Sequence, residues 1–321
     1  MIGLVGLMEK RTRGSKIPTT WTLNTSHNIS DYINEVHYGS DGYWVIAGED
    51  SSGNGVIDYR QTNPTGTFTA ATSGFGTSDV KSLTYDGSTY WTAGSYEQKF
   101  RYKSTPPSGS WSDGSSIPGS QNIYGMDYGN GYWVVGGTSA TVYYKTSVSS
   151  GWNTATEPFT TEVRFVKYGS DGNWVIGAKD NELATSGSTP TTFTARTSPF
   201  GASDYVLAGA CDGTRWVITS SAGDIAYTSD LTSSWTLVSN PGPFTNSDWI
   251  FDIEYGNGVW VICGENGRLA TATDPTSAGN WTQQTIGFGT EFATSVAYGN
   301  GYWVVGGYGN PAKLAYSSVS T

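Results

Sequence analysis

The chain of 321 residues has little of what metalloenzymes, secreted disulfide scaffolds and membrane spans are built from. His27 and His37 are its only histidines and Cys211 and Cys263 its only cysteines. That leaves neither a Cys/His zinc site nor a disulfide framework. Each cysteine lies in an apolar strand pattern and reads as a buried free thiol, and no metal or cofactor is expected. No segment approaches the roughly 20 apolar residues needed to cross a bilayer, and no stretch sustains helical periodicity. Positive charge is also scarce. Residues 1–17 hold Lys10, Arg11, Arg13 and Lys16 against Glu9, a net +3, so the remainder carries −13 of the overall −10. An acidic body repels phosphate at long range, which argues against nucleic acid as a partner.

Glycine (43), tyrosine (21) and tryptophan (13) are abundant instead. That mixture suits many short aromatic-rich strands joined by tight turns. One motif recurs along the chain: YGSDGYWVIAG, YDGSTYWTAG, YGNGYWVVGG, YGSDGNWVIGA, ACDGTRWVITS, YGNGVWVICG and again YGNGYWVVGG. Its tryptophans (Trp44, Trp91, Trp133, Trp174, Trp216, Trp260, Trp303) are 41 to 47 residues apart, the period of one four-stranded propeller blade. Apolar runs such as WVVGG read as strands buried on both faces between blades. A second aromatic marks each fourth strand: Phe68, Trp111, Trp152, Phe193, Trp235 and Trp281, each 22 to 25 residues before the next tryptophan. Trp21, 23 residues before Trp44, joins this series, and the last blade lacks such an aromatic of its own. The sequence therefore predicts an all-β, seven-bladed propeller over residues 18–321. The N-terminal segment Thr19–Leu23 completes the last blade as a 3+1 closure and removes the open edge.

The blade order places two loop sets on one face: the crossovers between blades and the loops joining second and third strands. Being variable and surrounding a channel mouth, they form the expected functional face. Phe75, Phe159, Phe200, Phe244 and Phe288 recur in the crossovers. Asp31, Asp79, Asn122, Glu162, Asp204, Asp248 and Glu291 recur near the first-strand starts. Either the phenylalanines plug the seams and the polar groups hold loop N–H groups, or the carboxylates form an acidic funnel for a cation or basic partner. The candidate ligand face comprises Glu49, Asp50, Tyr96, Glu97, Asp180, Glu182, Arg268 and Tyr308, where tyrosines beside carboxylates suit stacking on a sugar. The loop of Glu49, Asp50 and Asn54 lacks the ligand spacing of a calcium loop and reads as solvated.

The segment Ser229-Asp230-Leu231-Thr232-Ser233-Ser234-Trp235-Thr236 resembles the Asp-box turn, approximately S-x-D-x-G-x-T-W, of sialidase-like propellers. That turn is a folding device. The resemblance implies a fold but no chemistry, because sialidases clamp a carboxylate with three arginines. Here only Arg164 and Arg268 are plausible on the channel face. Arg60, Arg101, Arg196 and Arg215 fall in outer strands or turns, and Arg11 and Arg13 precede the propeller. The reading is non-enzymatic.

The dense YGNGYWVVGG repeats are also similar to propellers encoded by tailed bacteriophages. This resemblance implies a virion structural or host-attachment protein, made in the bacterial host cytoplasm. Residues 1–17 then form a docking arm. Ile2, Leu4, Val5, Leu7 and Met8 are its apolar part, and Lys10, Arg11 and Arg13 its basic part. The order of apolar and basic residues is not that of a secretory leader. Its partners would be neighbouring virion proteins or copies of itself, with a host surface glycan or protein at the loop face. The competing readings are a cellular assembly scaffold, similar to propellers that help build membrane complexes, and a glycan-binding or glycan-cleaving protein.

Overall fold

Each Tyr-Gly…Trp repeat folds as a hairpin, and the register shows why these residues recur. The tyrosine that ends the first strand faces the tryptophan that opens the second: Tyr38 with Trp44, Tyr85 with Trp91, Tyr128 with Trp133, Tyr168 with Trp174, Tyr255 with Trp260, Tyr298 with Trp303. Their ring centroids lie 4.6–4.9 Å apart, the tilted contact that aromatic quadrupoles favour. In the fifth blade Cys211 takes the tyrosine's place opposite Trp216. It is half-buried rather than enclosed, and its Sγ accepts the Gly213 N–H at 3.3 Å, whereas Cys263 is buried; both are free thiols.

A computed structural model describes residues 17–119 and 121–319. The hairpins belong to seven four-stranded antiparallel sheets, accompanied among the described residues by only two short 3-10 turns. The first blade runs Tyr32–Tyr38, Tyr43–Glu49, Gly55–Gln61 and Thr69–Ala70 from the channel outward. The innermost strands of the others are Val80–Tyr85, Ile123–Gly129, Val163–Tyr168, Val206–Cys211, Ile250–Gly256 and Ala293–Gly299. The seventh sheet takes its outermost strand from Thr22–Leu23, which pairs with Lys313–Ser318. Closure is thus 3+1, as the repeat spacing predicts.

One detail of the closure differs from the sequence reading: the paired segment is shorter than Thr19–Leu23. Trp21 is only half-buried, packed on the edge of the cluster containing Trp303, Ala315 and Val319. Hydrogen bonding tightens the joint instead. The Asn24 N–H donates to Leu314 O at 2.8 Å, while its buried side-chain amide reaches Pro64 O at 2.7 Å and Gly66 O at 2.9 Å in the first blade. The apolar–basic arm with Ile2, Leu4, Val5, Leu7, Met8, Lys10, Arg11 and Arg13 lies outside the described residues.

Among the described residues the core consists of seven clusters, each shared by neighbouring blades. Val45, Ala47 and Ile57 of the first blade, for instance, meet Val80, Leu83, Trp91 and Trp111 of the second. Phe75, Phe159, Phe200, Phe244 and Phe288 are all buried in such seams. The glycine after the motif tyrosine is what lets blades approach. A Cβ on Gly129 would overlap the Tyr168 ring, one on Gly256 the Tyr298 ring, and one on Gly299 the Tyr38 ring. Every one of these contacts crosses from one blade to the next. Overpacking of this kind typically destabilises by about 1–3 kcal/mol. Gly129→Ala is therefore expected to lower the urea midpoint by that equivalent. Gly187→Ala, where a Cβ meets open space, should stay within about 0.5 kcal/mol of the parent. Equal midpoints for the two variants would refute the seam assignment.

Candidate functional site

The channel is shaped by one irregularity repeated seven times. Every innermost strand carries a β-bulge at the same place, between Ile33 and Glu35, Val80 and Ser82, Ile123 and Gly125, Val163 and Phe165, Val206 and Ala208, Ile250 and Asp252, and Ala293 and Ser295. A bulge frees one residue from the ladder and re-aims its side chain. The freed residues are Asn34, Lys81, Tyr124, Arg164, Leu207, Phe251 and Thr294. All seven line a single cavity of about 480 Å³ at the loop-face mouth of the channel, with Tyr32, Trp249, Glu265 and Phe292 at its edge. They share no residue type, in contrast to the repetitive positions around them.

One side of the mouth is aromatic. Tyr205, Trp249, Phe251, Phe292, Tyr308 and Tyr32 form an unbroken arc, with successive centroids 5.1, 5.9, 5.6, 6.2 and 4.4 Å apart. Phe292 is 39% exposed, unusual for a side chain of its size. The other side is cationic but neutralised. Lys81 is 2.5 Å from Asp79, bonded to Asn34 and 4.7 Å above the Tyr96 ring. Arg164 is paired with Glu162 and held between Tyr124 (4.5 Å) and Tyr205 (4.8 Å). The acidic positions at the strand starts are therefore not a bare funnel: Asp79, Glu162 and Asp248 bind Lys81, Arg164 and Arg268, and Asp204 accepts the Gly201 N–H.

Below the mouth the channel narrows into two chambers of about 190 and 200 Å³, both bordered by Glu35, His37, Lys167 and Asp252. Two of the acids here have structural duties. Asp127 accepts N–H groups from Tyr128 and Tyr168, and Asp252 from Ile253 and Val296, so each joins its own blade to the next. Glu254 lies 3.5 Å from Lys167. Among the described residues no hydrogen bond reaches the carboxylate of the partly buried Glu35, whose surroundings act on it through burial and charge. Burial, with Asp252 adding, pushes the Glu35 carboxyl well above the usual carboxylate range; burial pushes Asp252 up to about 6 and raises Asp127. Burial, with Lys167 adding, lowers His37 to about 3, so the imidazole is neutral, and Glu254 above all keeps Lys167 charged.

The eight loop residues singled out from the sequence stand around this site, and none lines the mouth cavity itself. Tyr308 extends the aromatic arc, Tyr96 backs Lys81, and burial followed by the adjoining Asp79 raises the Glu49 carboxyl. The rest serve their loops. Asp50 accepts N–H groups from Ser52 and Asn54, Glu97 pairs with Lys99, and Glu182 gathers the N–H groups of Thr160 and Thr161. Asp180 takes a left-handed turn position, and Arg268 holds Asp248. Sequence reasoning missed the bulge ring. Its signal is nonetheless readable: the residue four before the strand-ending Tyr, or Cys211, varies freely within an otherwise repetitive strand. Among the described residues no cluster of three or more His, Cys, Asp or Glu is arranged to hold a metal ion, and no helix is long and apolar enough to cross a membrane.

A partly buried carboxylate held in the field of other acids has a stability consequence with a definite sign. Its folded pKa lies above the unfolded one, so the folded state retains the proton longer and stability declines as pH rises through that window. Asp252, Asp127, Glu254, Lys167 and His37 face the same space in both forms. Glu35→Gln should therefore be more stable than the parent at pH 7, by roughly 1–3 kcal/mol, with the gain vanishing near pH 4. Denaturant titrations at the two pH values check this; a Gln variant less stable at pH 7 would contradict the environment assigned to Glu35.

No protein-family model and no curated protein matches the chain. Solved structures do. YCF48 bound to D1 peptide is 14% identical with a TM-score of 0.71, the match covering 95% of this chain and 100% of that one. The WD40 β-propeller domain of Doa1 is 14% identical with a TM-score of 0.70, covering 96% and 98%. A catalytically inactive variant of virginiamycin B lyase from Staphylococcus aureus, with quinupristin, is 12% identical with a TM-score of 0.75, covering 94% and 100%. At these identities what is shared is the seven-bladed fold. The likeness extends distantly to several propeller families and is specific to neither phage proteins nor sialidases. It overturns the virion, tail, capsid and bacteriophage assignment suggested by the repeats.

Proposed function

We propose that this propeller is a non-enzymatic scaffold that holds a segment of a partner protein at the loop-face mouth of its channel. The observation that carries the reading is the bulge ring: seven unlike side chains, freed from sheet pairing, converge on one cavity beside a partly exposed aromatic arc. Concave apolar sites with a few placed polar groups are where binding energy concentrates. The fold is compatible with such a role, since a solved propeller of similar architecture is described as bound to a peptide. Arg164 and Arg268, the two channel-face arginines, are both committed to acids, which leaves no arginine clamp of the sialidase kind among the described residues.

The test is affinity purification of tagged full-length protein from its native cells, with quantitative mass spectrometry. Phe251→Asp together with Phe292→Asp should remove the specific partner that the parent retains. Gly187→Ala, in an outer turn, should retain it. A partner held equally by all three proteins would place the interface elsewhere.

A further inference from the structure

The chemistry beneath the mouth specifies more than a peptide. We propose, resting on the scaffold reading above, that the partner inserts a lysine or arginine side chain into the channel, its stem against the aromatic arc and its cationic head at Glu35.

Two independent features converge on this ligand. The first is the arc. Tyr32, Phe251 and Phe292 present aromatic surface around the opening, and ring faces attract cations while accommodating their methylene stems. The second is the charge balance below. Among the described residues, the channel from Glu35 inward holds Glu35, Asp127, Asp252 and Glu254 against Lys167 alone. The cations nearer the mouth do not redress this, because Lys81 and Arg164 already have Asp79 and Glu162. Asp127, Asp252 and Glu254 have protein partners. Glu35 is partly buried and borders both chambers, and among the described residues it alone of the four accepts no hydrogen bond and forms no ion pair at its carboxylate.

The arrangement favours an organic cation over a metal ion. A divalent ion needs several oxygens converging at short range, and the described residues offer no such cluster. A guanidinium or ammonium needs only one or two carboxylates and tolerates an aromatic wall. Glu35 follows the bulge residue Asn34, and Asp252 follows Phe251. The two acids therefore lie immediately inward of the mouth ring. Asp252, though bonded to the backbone, adds its negative field to that of Glu35, so a cation placed between them meets both carboxylates.

The probes are three synthetic peptides, blocked at both ends and identical except at the centre, which carries lysine, Nε-acetyl-lysine or norleucine. Binding to full-length protein is followed by nuclear magnetic resonance shifts of the aromatic side chains. The lysine peptide should bind about tenfold more tightly than either neutral analogue, the scale expected of one charge-assisted contact. Glu35→Gln should abolish that preference, whereas Glu97→Gln, on the outer rim, should keep it. Equal binding of lysine and norleucine peptides, or an unchanged preference in Glu35→Gln, would overturn the inference. Folding of each variant is verified by its circular dichroism spectrum. Partner purification separates this inference from the scaffold reading. A partner kept by Glu35→Gln but lost from the Phe251/Phe292 variant leaves the scaffold standing and removes the cation. A partner kept by both removes the scaffold.

Discussion

The ring depends on one contact made where blade meets blade: an aromatic side chain of one blade pressed onto a glycine of its neighbour. Gly129 receives Tyr168, Gly256 receives Tyr298, and Gly299 of the last blade receives Tyr38 of the first. The same tyrosine also stacks on its own blade's tryptophan, so each ring couples a hairpin to its neighbour. Burial of apolar surface drives the assembly, but this steric fit sets how closely the sheets approach. The Gly299–Tyr38 contact shows that the closing seam follows the same rule as an internal one. Asn24, reaching from beside the closing strand to Pro64 and Gly66, supplements it with hydrogen bonds.

With the seams committed to packing, the channel is where the structure can depart from repetition. The bulge makes that departure geometrically inexpensive, since the residue it frees has no ladder partner. A carboxylate such as Glu35, partly buried beside another acid and without a hydrogen bond among the described residues, works against stability. Asp127 and Asp252 differ in that they repay burial by capping N–H groups of the following blade. The contrast separates acids that build the ring from one the ring does not need, and so marks Glu35 as the residue to examine for function.

Fold and closure were legible in the sequence because both follow from strict periodicity. Trp44 to Trp303 mark second strands, and Trp21 marks the strand that the C-terminal blade lacks. The site was harder to see, for a physical reason. Attention to long, polar loops selected Asp50, Glu97 and Glu182, whose side chains are engaged with turns and nearby loop groups, and Asp180, which occupies a left-handed turn position. Asn34, Lys81, Tyr124, Arg164, Leu207, Phe251 and Thr294 are scattered over 261 residues, inside strands that look purely structural. Only closure into a ring gathers them, and only the bulge turns them inward. The phage resemblance failed differently: repeats of this kind report the packing of blades, and packing is common to propellers of unrelated use.

The recurrence of the bulge also bears on how such a protein changes over generations. Replacing an interior strand residue ordinarily disturbs two sheets and a seam, so most such changes are lost before they are tried. A bulged position escapes that filter. Tyr124 and Leu207 occupy equivalent places with different bulk and polarity, and the strands around them keep the same register. Seven positions of this kind around one axis give the molecule a binding surface that mutation can explore almost independently of foldability, with specificity free to drift while the architecture stays fixed.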